Sequence, residues 1–182
     1  LRCIDGWAPG RRIPGRSGSE LLWRMKVYDW RITEENEMIA FGPVPSRRLG
    51  YSLGINHIPP KQCTYSCVYC QVGRTTSLEI TRREFFPPHQ VIAEVGEALD
   101  NASRHEKQVD FLTLVPDGEP TLDIHLVELI QGLKKFGLPV AVITNSSLID
   151  RQEVQQALLA VDWVSFKVDA VDEESWRKID RP

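Results

Sequence analysis

The sequence predicts an α/β fold in which parallel strands alternate with helices. Four short apolar segments are separated by stretches in which apolar residues recur every three or four positions, the spacing of one helix face. Each connection is also long enough for a helix that crosses back over the sheet, which is how parallel strands are joined. The candidate functional motifs follow successive strand ends, where barrels and open α/β proteins place their sites.

The predicted strands are short and mostly apolar. The second strand is almost continuous in apolar residues, as expected when both faces of a strand are buried. Each of the first three strands is followed by a polar loop that contains cysteine, glycine, asparagine or serine. The four strands are predicted at residues 52–58, 109–115, 140–143 and 163–168.

Four helices are predicted from the spacing of apolar residues. The first helix follows the prolines at residues 87–88, which a helix tolerates in its first turn, and has apolar residues at Val91, Val95 and Leu99. The second helix is expected to end before Gly137, since glycine commonly closes a helix. The second, third and fourth helices are predicted around residues 126–133, 154–161 and 172–179.

Residues 1–37 differ from the rest of the sequence. Glycine, proline and arginine crowd residues 6–18, and the periodicity of apolar residues is poor. Such a composition is typical of loops and disordered segments. We therefore expect residues 1–37 to be a poorly structured N-terminal extension and residues 38–182 to be the folded domain.

Length and composition are those of one globular domain. The chain has 182 residues, of which 42% are apolar and 26% charged, and its formal net charge is -3. No apolar run approaches the roughly 20 residues that span a membrane, and no net positive charge attracts nucleic acid. The free cysteines favour a reducing environment. We expect a cytoplasmic protein that does not enter the membrane.

Three cysteines lie close together in the sequence, at Cys63, Cys67 and Cys70, and the remaining one is Cys3. Three thiolates with this spacing can bind one metal centre, whereas a [4Fe-4S] cluster normally takes four cysteines. With three cysteine ligands, one iron keeps an open coordination position. By analogy with catalytic zinc sites, an open position suggests a site that binds a substrate or cofactor.

The spacing alone leaves three other interpretations open. The cysteines fall at helical intervals and would also fit the buried face of a helix. They could form a structural zinc site with Cys3 or His57 as the fourth ligand, although zinc sites usually combine two cysteine pairs. Disulfides are the third alternative, and the odd number of neighbouring cysteines disfavours them.

The residues around the cysteines form a more specific pattern. An aromatic residue, Tyr69, precedes the last cysteine. The other motifs are FGPVPSRRLG at 41–50, GINHIPP at 54–60, VPDGEPT at 115–121 and AVITN at 141–145. Together and in this order, they resemble the radical S-adenosylmethionine (SAM) superfamily, in the branch of iron-sulfur oxidoreductases related to the wyosine-base synthases of transfer RNA. The resemblance extends from about Met38 to the last residue.

The resemblance implies a radical SAM iron-sulfur enzyme. Cys63, Cys67 and Cys70 would hold a [4Fe-4S] cluster, and SAM would chelate the open iron through its amine and carboxylate. An electron donor such as flavodoxin or ferredoxin would reduce the cluster, and cleavage of SAM would yield a 5′-deoxyadenosyl radical that abstracts hydrogen from a substrate. Transfer RNA and a protein are the candidate substrates. Arg47 and Arg48 could clamp an anionic substrate or form a solvated pair.

Two regions of this pattern are expected to contact SAM. Gly118, Glu119 and Pro120 would meet its amine, because glycine permits close approach and carboxylate or carbonyl oxygens accept from an ammonium group. Taken alone, these residues would fit an ordinary turn between a strand and a helix better. Tyr69 would pack against the adenine, and a half-buried aromatic residue near the core is an equal alternative.

The ends of the third and fourth strands are expected to add polar contacts to SAM. Thr144, Asn145 and Ser146 could bond to its ribose or carboxylate, or they could form a cap and turn before the next helix. Lys167 and Asp169 lie at the end of the fourth strand, where inward-facing charges are costly unless they meet a ligand. Both charges could instead reach solvent.

Two other classes of function stay open. One is an iron-sulfur electron carrier or redox module without SAM chemistry, and the other is a zinc-stabilised binding domain. An electron carrier needs no loop that recognises an amine, so residues 116–120 favour the enzyme over the electron carrier.

The number of strands bears on how much of a barrel is present. A (β/α)8 barrel needs roughly 250 residues, and only four strands are predicted here. We therefore expect a partial parallel barrel of the radical SAM type, in which residues 38–182 are the N-terminal part of the core domain and the later strands are missing.

Overall fold

The structure is a computed structural model and describes residues 38–182. A five-stranded sheet organises this part of the chain. The strands are β1 (Ala40–Ser46), β2 (Gly50–Ile55), β3 (Gln62–Cys63), β4 (Ser77–Leu78), β5 (Phe111–Leu114), β6 (Val140–Thr144) and β7 (Trp163–Phe166). The main sheet has the order β1-β2-β5-β6-β7, and β3 and β4 form a separate parallel pair. The predicted extension at residues 1–37 lies outside the described residues.

Helices alternate with the parallel strands β2, β5, β6 and β7, which confirms the predicted α/β class. They are α1 (Pro88–Arg104), α2 (Leu126–Lys134), α3 (Gln152–Leu159) and α4 (Glu173–Ile179), with a 3₁₀ turn at Pro120–Leu122. The order of the parallel strands never reverses, so right-handed crossovers place α1, α2 and α3 on one face of the sheet, as in a (β/α) barrel. None of the helices in residues 38–182 is long and apolar enough to cross a membrane.

Strand β1 corrects the expectation of a purely parallel sheet, since it pairs antiparallel with β2 at one edge. It contains Pro43 and Pro45, which have no amide hydrogen and are tolerated only in an edge strand. The two prolines also hide the strand from a search for apolar alternation. The predicted strand at residues 52–58 is displaced, because β2 ends at Ile55 and the chain then turns toward the cysteines.

The hydrophobic core lies between the sheet and the helices α1, α2 and α3. Most apolar positions that predict these helices are buried in it, whereas Leu99 and Val161 pack at its margin. Each fully buried Leu, Ile or Val side chain contributes roughly 1.5–3 kcal/mol. The core side chains include Leu53, Ile55, Leu112, Leu114, Val140 and Val142 from the sheet, and Val91, Val95, Leu129, Ile130, Leu133, Val154 and Leu158 from the helices.

The sheet topology brings the predicted motifs to one end of the parallel strands. Because β2, β5, β6 and β7 are parallel, the segments that follow them all begin at the carboxyl ends of the strands. These segments are the cysteine loop, defined here as residues 63–70, and residues 115–120, 144–147 and 167–169. The turn with Arg47 and Arg48 precedes β2. It therefore lies at the amino-terminal end of the parallel strands, away from the cysteines.

Candidate metal and cofactor site

A cavity at the carboxyl ends of the parallel strands brings the cysteines together with most of the predicted SAM contacts. Its volume is about 520 Å³, within the range of roughly 300–1,000 Å³ that is usual for ligand pockets. Pro120, Ser146 and Asp169 do not line it, although each adjoins a residue that does or bonds to one. The predicted site residues that line it are Cys63, Cys67, Tyr69, Cys70, Gly118, Glu119, Thr144, Asn145 and Lys167.

The three cysteines line this one cavity, as the ligands of a [4Fe-4S] cluster would. Cys63 and Cys67 are half-buried and Cys70 is exposed, and hydrogen-bond donors lie near the sulfurs of the first two. Within residues 38–182, no three His, Cys, Asp or Glu side chains are grouped as a single metal ion would require. Each cysteine of a [4Fe-4S] cluster binds its own iron, so its ligands line a shared chamber and do not meet at one point.

The helix interpretation and a zinc site completed by His57 disagree with this geometry, whereas Cys3, the other candidate for the fourth zinc ligand, lies outside the described residues. The cysteines lie in a loop that begins at β3, so the interpretation as a buried helix face is wrong. His57 is completely buried, and its Nε2 lies 3.4 Å from the carbonyl oxygen of Pro120. Burial lowers the pKa of His57 to about 4, which keeps the ring neutral. His57 does not line the cavity and is badly placed to complete a zinc site with the cysteines.

Burial favours the protonated form of two of the thiols, those of Cys63 and Cys67. Burial raises the pKa of Cys63 to about 11. Burial and the neighbouring Asp180 also raise the pKa of Cys67, against the opposing effect of Lys167. Cysteine binds iron as the thiolate, so loading the site must release these protons.

Glu119 ties the loop after β5 to the end of β6. Its side chain is buried, and Oε1 accepts hydrogen bonds from the amide and hydroxyl of Thr121 (3.1 and 2.6 Å) and from the hydroxyl of Thr144 (2.6 Å). Oε2 accepts from the amide of Asn145 at 2.9 Å. Burial raises the pKa of this carboxyl, although the four donors oppose the rise. These two side chains are hydrogen-bonded to each other. The expected contacts of Glu119 and Thr144 with SAM stay predictions.

Gly118 lets two loops approach closely. A Cβ atom at this position would collide with the backbone carbonyl oxygen of Gln62, the residue before the first cysteine. The amide of Glu119 donates to the same oxygen at 3.2 Å, and the amide of Lys61 donates to the carbonyl of Asp117 at 2.8 Å. Only glycine permits this approach of two backbones. The loop after β5 is therefore the support on which the cysteine loop begins.

Asn145 links the end of β6 to the cysteine loop. Its Nδ2 donates to the hydroxyl of Thr64 at 2.8 Å and lies 3.7 Å from Sγ of Cys63. The hydroxyl of Ser147 bonds to the same Thr64 hydroxyl at 2.7 Å. Ser146 has a φ of 69°, a left-handed value that is strained for a residue other than glycine, and its hydroxyl oxygen is buried without a partner in residues 38–182. Of the three predicted residues here, Asn145 lies nearest the cysteines.

Charged side chains from the end of β7 surround Cys67. The amine of Lys167 lies 3.4 Å from Sγ of Cys67, 3.0 Å from Oδ2 of Asp169 and 4.4 Å from the centre of the Tyr69 ring. The hydroxyl of Tyr69 donates to Asp169. Burial opposes the charge on Lys167, but hydrogen bonds to Tyr69 and Asp169 raise the pKa of its amine above the usual range. Tyr69, Lys167 and Asp169 therefore form one network beside a predicted cluster ligand.

Asp180, directly after α4, is a site residue that the sequence does not reveal. Its side chain is almost fully buried, and Oδ1 accepts hydrogen bonds from the thiol of Cys67 at 3.3 Å and from the hydroxyl of Tyr69 at 3.5 Å. Lys167 lies 3.8 Å from the same oxygen. No local motif marks Asp180, because its partners are more than ten residues away in sequence. Only the packing of α4 against the cysteine loop discloses it.

Two curated relatives share much of this sequence. A UPF0026 protein of Methanocaldococcus jannaschii is 56% identical over 144 residues, which cover 79% of this chain and 44% of the relative. A UPF0026 protein of Helicobacter pylori strain J99 is 40% identical over 154 residues, which cover 83% of this chain and 49% of the relative. The chain thus spans about half the length of the curated relatives it matches.

The fold and the family agree with each other. A solved structure of TYW1 with a lysine-pyruvate adduct bound has a TM-score of 0.53 and 19% identity, and the likeness covers 71% of this chain and 46% of that one. At this identity the likeness concerns the fold alone. A family model described as the radical SAM superfamily matches residues 58–182, which include the cysteines and every loop that lines the cavity. On this match, the chain belongs to the radical SAM superfamily.

Proposed function

We propose that this chain carries the cofactor-binding part of a radical SAM enzyme that holds a [4Fe-4S] cluster and SAM in one cavity. The supporting observation is that the three thiols and residues 118–119 line the same 520 Å³ space. When bound, the two cofactors would supply a 5′-deoxyadenosyl radical by one-electron cleavage of SAM, and this radical would abstract hydrogen from a substrate. An electron carrier without SAM chemistry needs no ligand-sized chamber beside its cluster.

The residues of the chain would bind the two groups and orient them. Cys63, Cys67 and Cys70 would ligate three irons and leave the fourth open. The backbone at Gly118 would approach the amine of SAM, together with the remaining acceptor capacity of Oε2 of Glu119. These assignments rest on which residues line the cavity.

The other walls of the cavity would hold the rest of SAM. Asn145 on the cavity wall and the neighbouring Ser146, whose hydroxyl oxygen has no hydrogen-bond partner within residues 38–182, would be the polar contacts for its carboxylate or ribose. The ring of Tyr69, which lines the cavity together with Tyr65, would border the adenine. Lys167 and Asp169 would close the wall beside it.

The substrate and the electron donor are proposed from the family resemblance and not from contacts in the cavity. We propose flavodoxin or ferredoxin as the donor, and transfer RNA or a protein as the substrate. The relatives are about twice as long as this chain, so residues that recognise a substrate are expected in both halves of such a protein.

Anaerobic reconstitution with iron and sulfide tests the metal assignment. The protein is expected to bind about four irons per chain, as one [4Fe-4S] cluster requires. Cys63→Ala, Cys67→Ala and Cys70→Ala are each expected to lose the cluster absorbance, and the control Cys3→Ala is expected to keep it. Stoichiometric zinc in place of iron, or equal dependence on Cys3, would contradict the proposal.

The SAM chemistry is tested on the same reconstituted protein after reduction with dithionite. Added SAM is expected to perturb the electron paramagnetic resonance (EPR) spectrum of the reduced cluster, because one iron has an open position. Release of 5′-deoxyadenosine, measured by mass spectrometry, would establish cleavage. A reduced cluster whose spectrum never responds to SAM would favour the electron carrier.

A further inference from the structure

Lys167 is directed at the sulfur of a predicted cluster ligand. Its amine lies 3.4 Å from Sγ of Cys67, which is hydrogen-bond distance for a sulfur acceptor. We propose that Lys167 is a positioning residue that donates to the Cys67 sulfur and favours the reduced state of the cluster, whether or not SAM is bound. This inference rests on the cluster proposed above, and it gives Lys167 a role distinct from a contact with SAM.

Three groups hold the amine of Lys167 in this place. Oδ2 of Asp169 lies 3.0 Å away, Oδ1 of Asp180 lies 3.8 Å away, and the ring of Tyr69 lies below the amine at 4.4 Å. These partners come from the segment after β7, from the residue that follows α4 and from the cysteine loop. A lysine side chain has a long flexible stem, so a fixed position requires several partners on different sides. The amine is therefore held beside the sulfur before any cofactor binds.

The second charge at this sulfur has the opposite sign. Asp180 is only 3% exposed, and its Oδ1 lies 3.3 Å from Sγ of Cys67. Lys167 and Asp180 thus contact the same sulfur atom with a cation and a carboxyl group. Their effects on the cluster are expected to oppose one another.

Reduction of a [4Fe-4S] cluster from the 2+ to the 1+ state adds one electron and one negative charge to the cluster and its thiolates. Hydrogen bonds to the sulfurs and nearby charges are among the factors that set the potential of this step. A partly buried cation at a ligand sulfur favours the added charge, since Coulomb interactions are strong where water is limited. A carboxylate at the same sulfur disfavours it. Removal of Lys167 should therefore lower the midpoint potential, and removal of the Asp180 charge should raise it.

The test is an EPR-monitored redox titration of reconstituted protein without SAM, with dithionite as the source of the electron. Lys167→Met is expected to shift the midpoint to a more negative potential, and Lys167→Arg, which keeps the charge, to stay near the wild type. Asp180→Asn is expected to shift the midpoint to a more positive potential. The matched control is Lys178→Met, because that amine pairs with Glu174 on the exposed face of α4.

Iron content separates the two levels of this proposal. A wild-type protein that binds no cluster would refute the proposed function and this inference with it. A protein that holds its cluster while Lys167→Met leaves the SAM-free midpoint unchanged would refute the inference alone, even if the affinity for SAM fell. If Lys167→Met cannot hold a cluster, Asp180→Asn decides, and an unchanged or lowered midpoint in that variant overturns the inference.

Discussion

Single residues join loops that are far apart in the sequence. Asn56 accepts a hydrogen bond from the amide of Asp117 at 2.9 Å, and its Nδ2 donates to the carboxylate of Asp117 at 3.2 Å. Together with the contact of His57 to Pro120, this pair holds the loop after β5 against the end of β2. Partly buried polar contacts of this kind are costly to break, because the partner left behind loses its hydrogen bond. The site is thus defined by a few side chains with little freedom.

Gly118→Ala tests whether this loop must lie so close to the cysteines. The added methyl group would collide with the carbonyl oxygen of Gln62, which is backbone and cannot rotate away. We expect a loss of about 1–3 kcal/mol in the free energy of unfolding, typical of overpacking. We also expect affinity for SAM to fall more than iron content. Urea unfolding and the SAM dependence of the EPR signal measure the two effects.

Gly96→Ala is the matched control for that substitution. Gly96 lies in α1, and a Cβ there would meet Phe136 at an ordinary 3.5 Å. Alanine is favoured over glycine inside a helix by about 0.8–1 kcal/mol, so this variant should be at least as stable as the wild type. Equal stability and equal SAM binding in both alanine variants would show that the contact of Gly118 with Gln62 is unimportant.

At the scale of elements, the short helix α4 fastens the cysteine loop. The amide of Ser66 donates to the carbonyl of Asp180 at 3.0 Å, and the amide of Val68 donates to the carbonyl of Ile179 at 2.9 Å. The rings of Tyr65 and Trp176 meet edge to face with their centres 5.9 Å apart. The last described helix therefore supports the loop that carries the predicted iron ligands.

Local interactions stabilise α4 itself. Asp172 caps its first turn by accepting from the amide of Ser175 at 2.9 Å. Glu173 and Glu174 lie in the first turn and two basic residues lie in the last turn, which complements the helix dipole. A seven-residue helix is marginal on its own, so its contacts with the cysteine loop stabilise both partners.

Trp176→Ala is expected to loosen the cysteine loop without unfolding the sheet. An edge-to-face aromatic pair contributes about 0.5–1.5 kcal/mol, so local amide exchange should become roughly 2- to 10-fold faster. Hydrogen-exchange mass spectrometry of peptides that cover residues 64–70 measures this. Leu159→Ala, which truncates an 85% exposed side chain at the end of α3, is the control and should leave the exchange unchanged. Acceleration across the whole chain, or none in the loop, would contradict this role of α4.

At the scale of the whole molecule, the two edges of the main sheet differ. Strand β1 lies at one edge, where Pro43 and Pro45 reduce the capacity to pair with another chain. Strand β7 lies at the other edge, and within residues 38–182 its outer side has no paired strand. Phe166 is 49% exposed and Val168 is 71% exposed beside this edge. We propose that residues 38–182 are the N-terminal part of a larger core domain, in which further chain pairs with β7.

The open edge predicts self-association of this chain on its own. Sedimentation velocity over micromolar concentrations should reveal dimers or larger species, since an unprotected apolar edge strand pairs readily. Phe166→Lys should reduce the association, because a charged residue on an edge strand opposes pairing. The control is Leu159→Lys, which removes an 85% exposed apolar side chain at the end of α3. A stable monomer with a sharp, cooperative thermal transition would mean that the sheet is complete as it stands.

The sequence by itself determined the alternation of strands and helices, the buried faces of α1 to α3 and the position of the predicted iron ligands. Helical periodicity and the spacing of Cys63, Cys67 and Cys70 are local properties, so they are readable along the chain. Strand β1 was not readable in this way, because its prolines interrupt the alternation and only its place at the edge makes them acceptable.

Only the tertiary structure decided which polar groups surround the cysteines. Asp180 lies 113 residues from Cys67, and Asn145 lies 82 residues from Cys63, yet each pair is in contact. Such contacts arise because the parallel strands have their carboxyl ends on the same side and because α4 packs against the cysteine loop. No short-range sequence pattern encodes them. Glu119 shows the same limit, since its motif predicted a contact with SAM, which stays a prediction, but not the hydrogen bonds that its carboxylate accepts from Thr121, Thr144 and the amide of Asn145. Hydrogen-bond partners depend on geometry in three dimensions, and residue type alone specifies only the capacity to bond.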